Sequence, residues 1–297
     1  MPPVPKPAYE PRSWEEVPCP LCGSGRSRLY ERFGWRLRFT YQSCLDCGLV
    51  YQSPRPRYDD DFIRDAYGDY FTFSEGFRPG DPVNHAVQAN WEELVVEMAA
   101  FDARRSAVLD VGSCMGNFLL AARPLWKRAE GVEVSEKMRA FVEREIGVRV
   151  HGVPFEALRT EERFSCIHMS HVIEHVPDPS AWMVRARELL EEGGLLVVAV
   201  PNMLSLDRRW QLALKRAGLR RGEWKDPSRT PDHLFEPTIP SMLRFLDAHG
   251  FEVESHYTYS RSDETSRKPF SRLYRRRLLL GSNARFYARR RPLASGV

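Results

Sequence analysis

The sequence predicts an α/β protein with a doubly wound, mostly parallel seven-stranded sheet and a small N-terminal cysteine-containing module. Three observations support this prediction. From residue 107 onward, short apolar segments alternate with segments of helical periodicity, a pattern typical of parallel sheets. The first apolar segment, VLDV, ends in a glycine-bounded turn, GSCMG. Two C-x-x-C-G units precede this alternating region.

The strands of the predicted sheet can be assigned in chain order. They are SAVLDV, GVEV, VRVHG, FSCIHMS, LLVVAVP, GFEVESHYTY and GSNARFYARRR. We expect the seventh strand to insert antiparallel beside the sixth. In a doubly wound sheet, ligands bind at the carboxyl ends of the strands. Functional residues are therefore expected at or just after Asp110, Glu133, Gly152 and Ser170.

Composition shifts divide the chain into four predicted regions. These are a flexible proline-rich lead-in (1–16), the cysteine module (17–56), a helical and aromatic region (57–104) and the α/β domain (105–297). In the third region, residues 83–103 have helical periodicity, and a loop rich in tyrosine and phenylalanine either packs on its neighbours or forms an active-site lid. Two insertions in the α/β domain, at about 202–237 and 260–281, are expected on the substrate side, the second as a basic helix.

Composition and charge limit the class of protein. The 297 residues are 42% hydrophobic and 28% charged, the ordinary balance of a soluble globular chain. The sequence has no run of eighteen apolar residues and no apolar signal-peptide core at its start, so we expect a cytoplasmic protein without a membrane span. Residues 201–297 contain 20 Lys and Arg against 10 Asp and Glu. That excess fits solvated helix faces, an anionic substrate or nucleic acid.

The two C-x-x-C-G units, CPLCG and CLDCG, predict a metal site. They contain Cys19, Cys22, Cys44 and Cys47 and are separated by 21 residues. Each unit places two thiolates on a tight turn, and two such turns give tetrahedral four-sulfur zinc coordination. Disulfides are the alternative, which a cytosolic chain with two further cysteines disfavours. We predict one structural Zn²⁺ and a short hairpin between the units. Four thiolates leave no open position for catalysis.

The turn after the first strand distinguishes between kinds of nucleotide site. A dinucleotide turn needs G-x-G-x-x-G, but from Gly112 the chain reads GSCMGN and lacks the second and third glycines. The Gly-Lys-Ser/Thr of a P-loop is absent as well. Glu133 follows the second strand, 21 residues after Gly112, where a carboxylate can accept both ribose hydroxyls. This pattern predicts a nucleoside ligand without phosphates, and S-adenosylmethionine is the common ligand of that kind.

Residues 107–200 resemble a class I S-adenosylmethionine-dependent methyltransferase. DVGSCMGNF is similar to the family's first glycine motif. SHVIEHVPDPSAW and LLEEGGLLVVAVPN resemble the fourth- and fifth-strand motifs of the subgroup related to ubiquinone-biosynthesis methyltransferases. The cysteine units followed by GLVYQSPRP resemble an N-terminal zinc module fused to such domains in bacterial sugar, polysaccharide and natural-product gene clusters. The resemblance covers roughly residues 17–258 and implies a Rossmann-like methyltransferase fold.

The resemblance also implies roles for individual residues. Asp110 would orient the methionine amino end, and Glu133 would bind the ribose. Val153 or Phe155 would pack against adenine, with Glu156 the nearest acid for the adenine amine. The implied cofactor-binding set is Asp110, Gly112, Ser113, Cys114, Gly116, Glu133, Val153, Phe155, Ser170 and His171. Within this set the two glycines would allow close backbone approach, and Ser170 and His171 would face the methionine and the methyl group.

Two histidines are candidates for the general base. His171 follows the fourth strand, and His233 lies in TPDHLFEPT, which resembles the family's H-L-x-x-F loop at the mouth of the site. A neutral imidazole can take a proton from an oxygen or carbon acceptor as the methyl bond forms. His171 and His175 are four residues apart, but they are not in H-E-x-x-H and the sequence offers no third ligand. We expect His175 to be a buried hydrogen-bonding residue.

Three functions remain open from the sequence. The first is methyl transfer to a small-molecule, sugar or natural-product acceptor, with O- or C-methylation favoured. The second is an RNA methyltransferase that docks through the zinc module and the basic C-terminal third, although the arginines lack the interleaved aromatic residues of a stacking platform. The third is a non-catalytic S-adenosylmethionine-binding protein, which the retained glycine turn and acidic residues disfavour. The acceptor and the oligomeric state are not predicted.

Overall fold

A computed structural model of the chain describes residues 13–33, 39–57, 85–219, 233–259 and 279–292. The aromatic loop with Tyr67, Tyr70 and Phe71 lies outside the described residues, as do Trp224 and nearly all of the predicted basic helix at 260–281. The helices are α1 (His85–Phe101), α2 (Asn117–Ala122), α3 (Glu136–Glu145), α4 (Pro179–Leu189), α5 (Leu206–Arg216) and α6 (Ile239–Ala248). Among the described residues, no helix is both long and apolar enough to span a bilayer.

Thirteen strands are described in chain order. The N-terminal strands are β1 (Trp14–Glu15), β2 (Ser27–Phe33), β3 (Phe39–Cys44), β4 (Val50–Gln52) and β5 (Arg55–Pro56). They are followed by β6 (Val108–Val111), β7 (Ala129–Val132), β8 (Arg149–His151), β9 (Phe164–Ser170), β10 (Leu190–Pro201), β11 (Phe235–Glu236), β12 (Phe251–Tyr259) and β13 (Asn283–Arg290).

The main sheet has seven strands in the order β12-β13-β10-β9-β6-β7-β8. Only β13 is antiparallel to its neighbours, β10 and β12. The seven predicted strands and the antiparallel insertion of the last one are therefore confirmed. The strand order reverses between β6 and β9, so the carboxyl ends of these two strands open a crevice for a ligand.

Local sequence explains where several helices begin. The side chain of Ser135 accepts a hydrogen bond from the amide of Met138 at the start of α3. Asp178 caps α4 in the same way, just before a proline at the first turn. Thr238 caps α6 and forms a reciprocal capping box with Ser241. These caps satisfy helix N–H groups that would otherwise have no partner, and they fix α4 directly after the connector that follows β9.

The cysteine module is built on small antiparallel sheets. Strands β2 and β3 form the predicted hairpin between the two cysteine units, and β4 and β11 extend it to four strands in the order β11-β4-β3-β2. Trp14 and Glu15, which the sequence places in the flexible lead-in, pair with Pro56 and Arg55 as a second, two-stranded sheet. The module therefore uses residues on both sides of its predicted range.

The core lies on both faces of the main sheet. One face packs against α1, α2 and α3, and the other against α4 and α6. The buried apolar cluster on the face that packs against α4 and α6 continues into the cysteine module. Leu49 and Tyr51 belong to the same cluster as Met242 and Phe245 of α6. The module and the α/β domain thus share buried apolar surface, which positions the module beside the carboxyl edge of the sheet.

Candidate functional site

The turn between β6 and α2 requires glycine at two positions for reasons internal to the fold. Gly112 and Gly116 both have φ near +75°, where side chains are strained. A Cβ at Gly112 would lie 2.9 Å from Cγ2 of Val172, and a Cβ at Gly116 would lie 2.5 Å from Cδ1 of Ile146. Helix and connector packing therefore explains both glycines. Their expected role in admitting a cofactor stays a prediction.

Two further residues of the turn were predicted to face the cofactor. Ser113 is buried, and its hydroxyl has no hydrogen-bond partner among the described residues. Cys114 is exposed and has φ of 49°, which is unusual for a residue with a side chain. Desolvation and the negative charge of Glu133 raise the pKa of the Cys114 thiol to about 11. The thiol is therefore neutral at physiological pH and is not an activated nucleophile.

Glu133 joins the turn to the end of β7. Its Oε2 accepts a hydrogen bond from the amide of Cys114 at 2.9 Å, and its Oε1 accepts one from the amide of Ser135 at 2.9 Å. Burial raises the pKa of this carboxyl group more than the amide hydrogen bonds lower it. A carboxylate oxygen can accept more than one hydrogen bond. Both oxygens thus keep acceptor capacity for the two hydroxyls of a ribose.

Asp110 has a partner that sequence reasoning missed. Its Oδ1 lies 2.8 Å from Nδ1 of His168, which is buried on β9. The His168 ring stacks on Phe118 with centroids 4.1 Å apart, and Trp91 meets it edge-on. This contact orients the Asp110 carboxyl group. An ionisable residue inside the largely apolar FSCIHMS segment was the signal that could have identified His168.

The predicted adenine contacts have different environments. Phe155 is 1% exposed and packs against Trp182 with ring centroids 5.2 Å apart, whereas Val153 is 38% exposed. Phe155 therefore packs in the core, and Val153 is the more accessible of the two; the adenine contact of either residue stays a prediction. Glu156 accepts a hydrogen bond from the indole of Trp182 at 2.8 Å. Its carboxylate is thus already engaged by a neighbouring side chain.

The carboxyl end of β9 positions the first candidate base. Ser170 is the last residue of the strand, and His171 follows it with φ of 54°. Nδ1 of His171 lies 3.3 Å from Oε1 of Glu174, and its Nε2 lies 3.1 Å from the hydroxyl of Tyr259. Uncommon backbone angles of this kind are found preferentially at functional sites. With this backbone conformation, the imidazole of His171 faces the buried carboxylate of Glu174.

Glu174 is the centre of a histidine cluster. The carboxyl group is fully buried, and its Oε2 has no hydrogen-bond partner among the described residues. Burial alone raises the pKa of Glu174, but the hydrogen bond from His171 and the charges of His171, His175 and His233 outweigh it, so the pKa lies below its usual range. Ligand atoms of Glu174, His175 and His233 lie within 4.8 Å of one another. These three residues could hold a metal ion, and the group differs from the pair His171 and His175 that the sequence suggested.

The cysteine module holds the second candidate base in this cluster. The backbone carbonyl of His233 accepts hydrogen bonds from the Tyr41 hydroxyl at 3.1 Å and from Nε2 of Gln52 at 2.5 Å. Its Nδ1 lies 3.0 Å from Oε1 of Glu236, and its ring meets that of His175 at 4.7 Å between centroids. The two candidate bases, distant in sequence, thus contact the same group of residues around Glu174.

The four cysteines of the module lie together. Sγ of Cys19 is 3.5 Å from Sγ of Cys47, and Sγ of Cys22 is 3.6 Å from Sγ of Cys44. Both distances exceed the disulfide bond length of about 2.05 Å. They are close to the edge of about 3.8 Å that a tetrahedron with zinc–sulfur bonds of about 2.3 Å requires. The hydrogen bond from Cys19 lowers the pKa of Cys47 to about 5, so the cluster favours a thiolate.

Comparisons with known proteins agree with this architecture. The family model described as "Methyltransferase domain" matches residues 83–256. No curated protein matches the sequence. A Thermotoga maritima S-adenosylmethionine-dependent methyltransferase has a TM-score of 0.52 at 17% identity, with 76% of this chain and 100% of that chain covered.

Two further solved structures share the fold at low identity. The Burkholderia thailandensis 1,6-didemethyltoxoflavin-N1-methyltransferase, solved with its acceptor and S-adenosylhomocysteine, has a TM-score of 0.51 at 17% identity over 84% of this chain and 98% of that one. The N-methyltransferase NodS of Bradyrhizobium japonicum, solved with S-adenosylhomocysteine, has a TM-score of 0.51 at 12% identity, with coverage of 79% and 100%. Because the family model covers more than half of the sequence, the chain belongs to the methyltransferase-domain family and is an S-adenosylmethionine-dependent methyltransferase.

Proposed function

We propose that the chain binds S-adenosylmethionine at the carboxyl edge of β6, β7 and β9. Glu133 binds the ribose hydroxyls, Asp110 orients the methionine amino end, and Val153 packs against adenine. The observation that carries this assignment is the position of Glu133, whose two oxygens accept amides from the glycine turn and from the start of α3. The carboxylate is therefore fixed before the cofactor arrives, which reduces the ordering cost of binding.

The proposed acceptor is a small molecule, a sugar or a natural product, methylated on oxygen or carbon. Both candidate bases support this choice, because Nδ1 of each faces a carboxylate, Glu174 for His171 and Glu236 for His233. A carboxylate at Nδ1 fixes the tautomer that leaves Nε2 able to accept a proton. As the carbon–sulfur bond breaks and the new methyl bond forms, the acceptor loses its proton to Nε2 of the operative histidine. If that residue is His171, the acceptor replaces the Tyr259 hydroxyl at Nε2.

We also propose that the four cysteines bind one structural Zn²⁺. The sulfur–sulfur distances and the turn geometry support this, since Gly23 and Gly48 have positive φ and return their amides to the carbonyls of Cys19 and Cys44. Four thiolate ligands stabilise the module without offering a catalytic position. Through β11, the zinc-bound module would hold the loop that contains His233.

The remaining assignments follow from the sequence. The chain is proposed to belong to the subgroup related to ubiquinone-biosynthesis methyltransferases and to act in the cytoplasm. Residues 17–56 are its zinc module, residues 57–104 its lid region and residues 105–297 its catalytic domain. RNA methylation and non-catalytic cofactor binding are the competing functions that the experiments below separate.

Calorimetry with S-adenosylhomocysteine tests the cofactor site. Replacing Glu133 by alanine removes one charged acceptor, which contributes about 1–3 kcal/mol, so the Kd should rise about 5–150-fold. Glu252→Ala is the matched control, because this glutamate is exposed on β12, and its Kd should equal that of the wild type. Wild-type affinity in Glu133→Ala would contradict the ribose assignment.

Methyl transfer from labelled S-adenosylmethionine tests the acceptor class. The acceptor panel should contain phenols, sugars, activated methylene compounds, amines and total RNA. Label in the phenol, sugar or methylene pool is the expected result. Label in RNA alone would support the docking alternative, and no label in any pool despite tight cofactor binding would support a non-catalytic protein.

A further inference from the structure

Arg285 is a buried cation, and it has no role in the proposed cofactor and base assignments. On β13 it lies opposite Ala199 of β10, and Ala199 is in register with Ser170 of β9. Neighbouring strands are about 4.8 Å apart, so Arg285 lies about 10 Å from Ser170 along one row of the sheet. Residues in register on neighbouring strands share a face. Arg285 therefore lies on the same face and near the same edge of the sheet as the proposed methyl-transfer site.

Two tyrosines of β12 hold the guanidinium group. Its Nη1 donates to the Tyr257 hydroxyl at 2.8 Å, and its Cζ lies 4.5 Å from the centroid of the Tyr259 ring. The hydroxyl of the same Tyr259 contacts Nε2 of His171. One aromatic residue thus lies between Arg285 and a candidate base. The guanidinium is close enough to the reacting centre to contact the remainder of an acceptor.

Arg285 differs from the other buried arginines of the described chain. Arg55 and Arg208 are each 8% exposed and bond to a carboxylate, Glu15 and Glu31 respectively. Arg285 is 9% exposed, its Nε has no hydrogen-bond partner, and no carboxylate of the described residues lies within 4.0 Å of it. Its link to a carboxylate is indirect, because the Tyr257 hydroxyl that accepts from Arg285 donates to Oε2 of Glu97 at 3.2 Å. Burial of a charge without an opposite charge in direct contact is energetically costly.

We propose that Arg285 binds an anionic group, a carboxylate or a phosphate, on the methyl acceptor. This inference rests on the proposed function and specifies its substrate class. A guanidinium presents paired N–H donors that match either anion, and the aromatic contacts hold it in place before the acceptor binds. The acceptor then extends from its anion past Tyr259 toward His171, so the atom to be methylated lies on the side of the acceptor that faces this base.

Anion binding to the full chain tests the proposal. The protein is first saturated with S-adenosylhomocysteine, so that the site for the methionine carboxylate is filled. Benzoate, inorganic phosphate and neutral benzamide are then titrated by calorimetry. We expect one site per chain for benzoate or for phosphate, and at least tenfold weaker binding of benzamide. Comparison of the two anions shows whether the site is built for a carboxylate or for a phosphate.

Three variants identify the residue responsible. Arg285→Met should weaken anion binding at least tenfold and leave the Kd for S-adenosylhomocysteine unchanged, whereas Arg285→Lys should retain part of the anion affinity. Arg149→Met, an exposed arginine of β8, should behave as wild type in both titrations. Urea midpoints and near-ultraviolet circular dichroism establish that each variant is folded, and the lysine variant gives the decisive comparison if the methionine variant is not.

Two results would overturn the assignment. One is anion binding by Arg285→Met that equals that of the wild type, or no anion binding by the wild type itself. The other is loss of S-adenosylhomocysteine affinity in Arg285→Met with anion binding intact, which would assign the guanidinium to the cofactor's own carboxylate. Failure of the wild type to bind S-adenosylhomocysteine would instead contradict the proposed cofactor site, so the two failures are distinguishable.

Discussion

Glu174→Gln tests the buried carboxylate at the centre of the histidine cluster. Its folded-state pKa is lowered, so the ionised group stabilises the fold above the ordinary pKa of a glutamate, and this contribution is lost as the pH falls through the lowered value. Glutamine keeps the shape of the side chain and removes the counter-charge.

The expected magnitude depends on pH. At pH 7 the wild-type carboxylate is ionised, so the variant should lose a hydrogen bond to a charged group, about 1–3 kcal/mol. Below the ordinary pKa of a glutamate, about 4.3, the unfolded wild-type chain takes up a proton that the folded chain resists, which costs about 0.5–1 kcal/mol at pH 4. The glutamine variant has no such group. The free energy of unfolding should therefore decrease more steeply with acidification in the wild type than in Glu174→Gln.

Urea unfolding followed by tryptophan fluorescence at pH 7 and at about pH 4 measures this difference. Any acid sensitivity of the cysteine module is common to both proteins and cancels in the comparison. Glu252→Gln, an exposed site on β12, is the control and should follow the wild type. An equal loss of stability on acidification in Glu174→Gln and wild type, at equal m-values, would refute the electrostatic account of the cluster.

Three further predictions concern other parts of the chain. Elemental analysis should find one zinc per chain, and replacing both cysteines of the second C-x-x-C-G unit by serine should release it; zinc retained in that variant would exclude these ligands. Alanine at the operative base, His171 or His233, should lower turnover about 10²–10⁴-fold with cofactor affinity almost unchanged; normal turnover in both variants would favour an amine acceptor. Gly116→Ala should destabilise the fold by about 2–4 kcal/mol, because left-handed strain adds to overpacking. Gly147→Ala, with φ of 73° and open space, should cost only about 1–2 kcal/mol, and equal urea midpoints would contradict the packing argument.

The sequence predicts the main sheet because local patterns determine it. VLDV, FSCIHMS and LLVVAVP are apolar segments of strand length bounded by turns and helices, and each becomes a strand that is buried along most of its length. The C-x-x-C-G turns are equally local, since a glycine amide returns to the first cysteine within four residues. Such features need no knowledge of distant contacts.

The centre of the site depends on contacts that no local pattern encodes. The group around Glu174 joins residues 171–175 to His233 and to Tyr259, and the sequence alone does not specify that register. Burial likewise distinguishes Val153 from Phe155, because both are apolar in the sequence but the first is partly exposed and the second lies in the core. Arg285 was one of many arginines in a basic segment until its neighbours on β10 and β12 were known.

The pairing of β4 with β11 has a consequence for the nascent chain. Nε2 of Gln52 donates a hydrogen bond to the carbonyl of His233, which is 181 residues later in the sequence. The N-terminal strands of the module are therefore synthesised long before β11. At about 5–20 residues per second, the edge of β4 stays unpaired for roughly 10–40 s, until β11 has been synthesised. An unpaired strand edge is a template for pairing with other chains. Early binding of the proposed zinc ion would keep the module folded during that interval and so limit aggregation during synthesis.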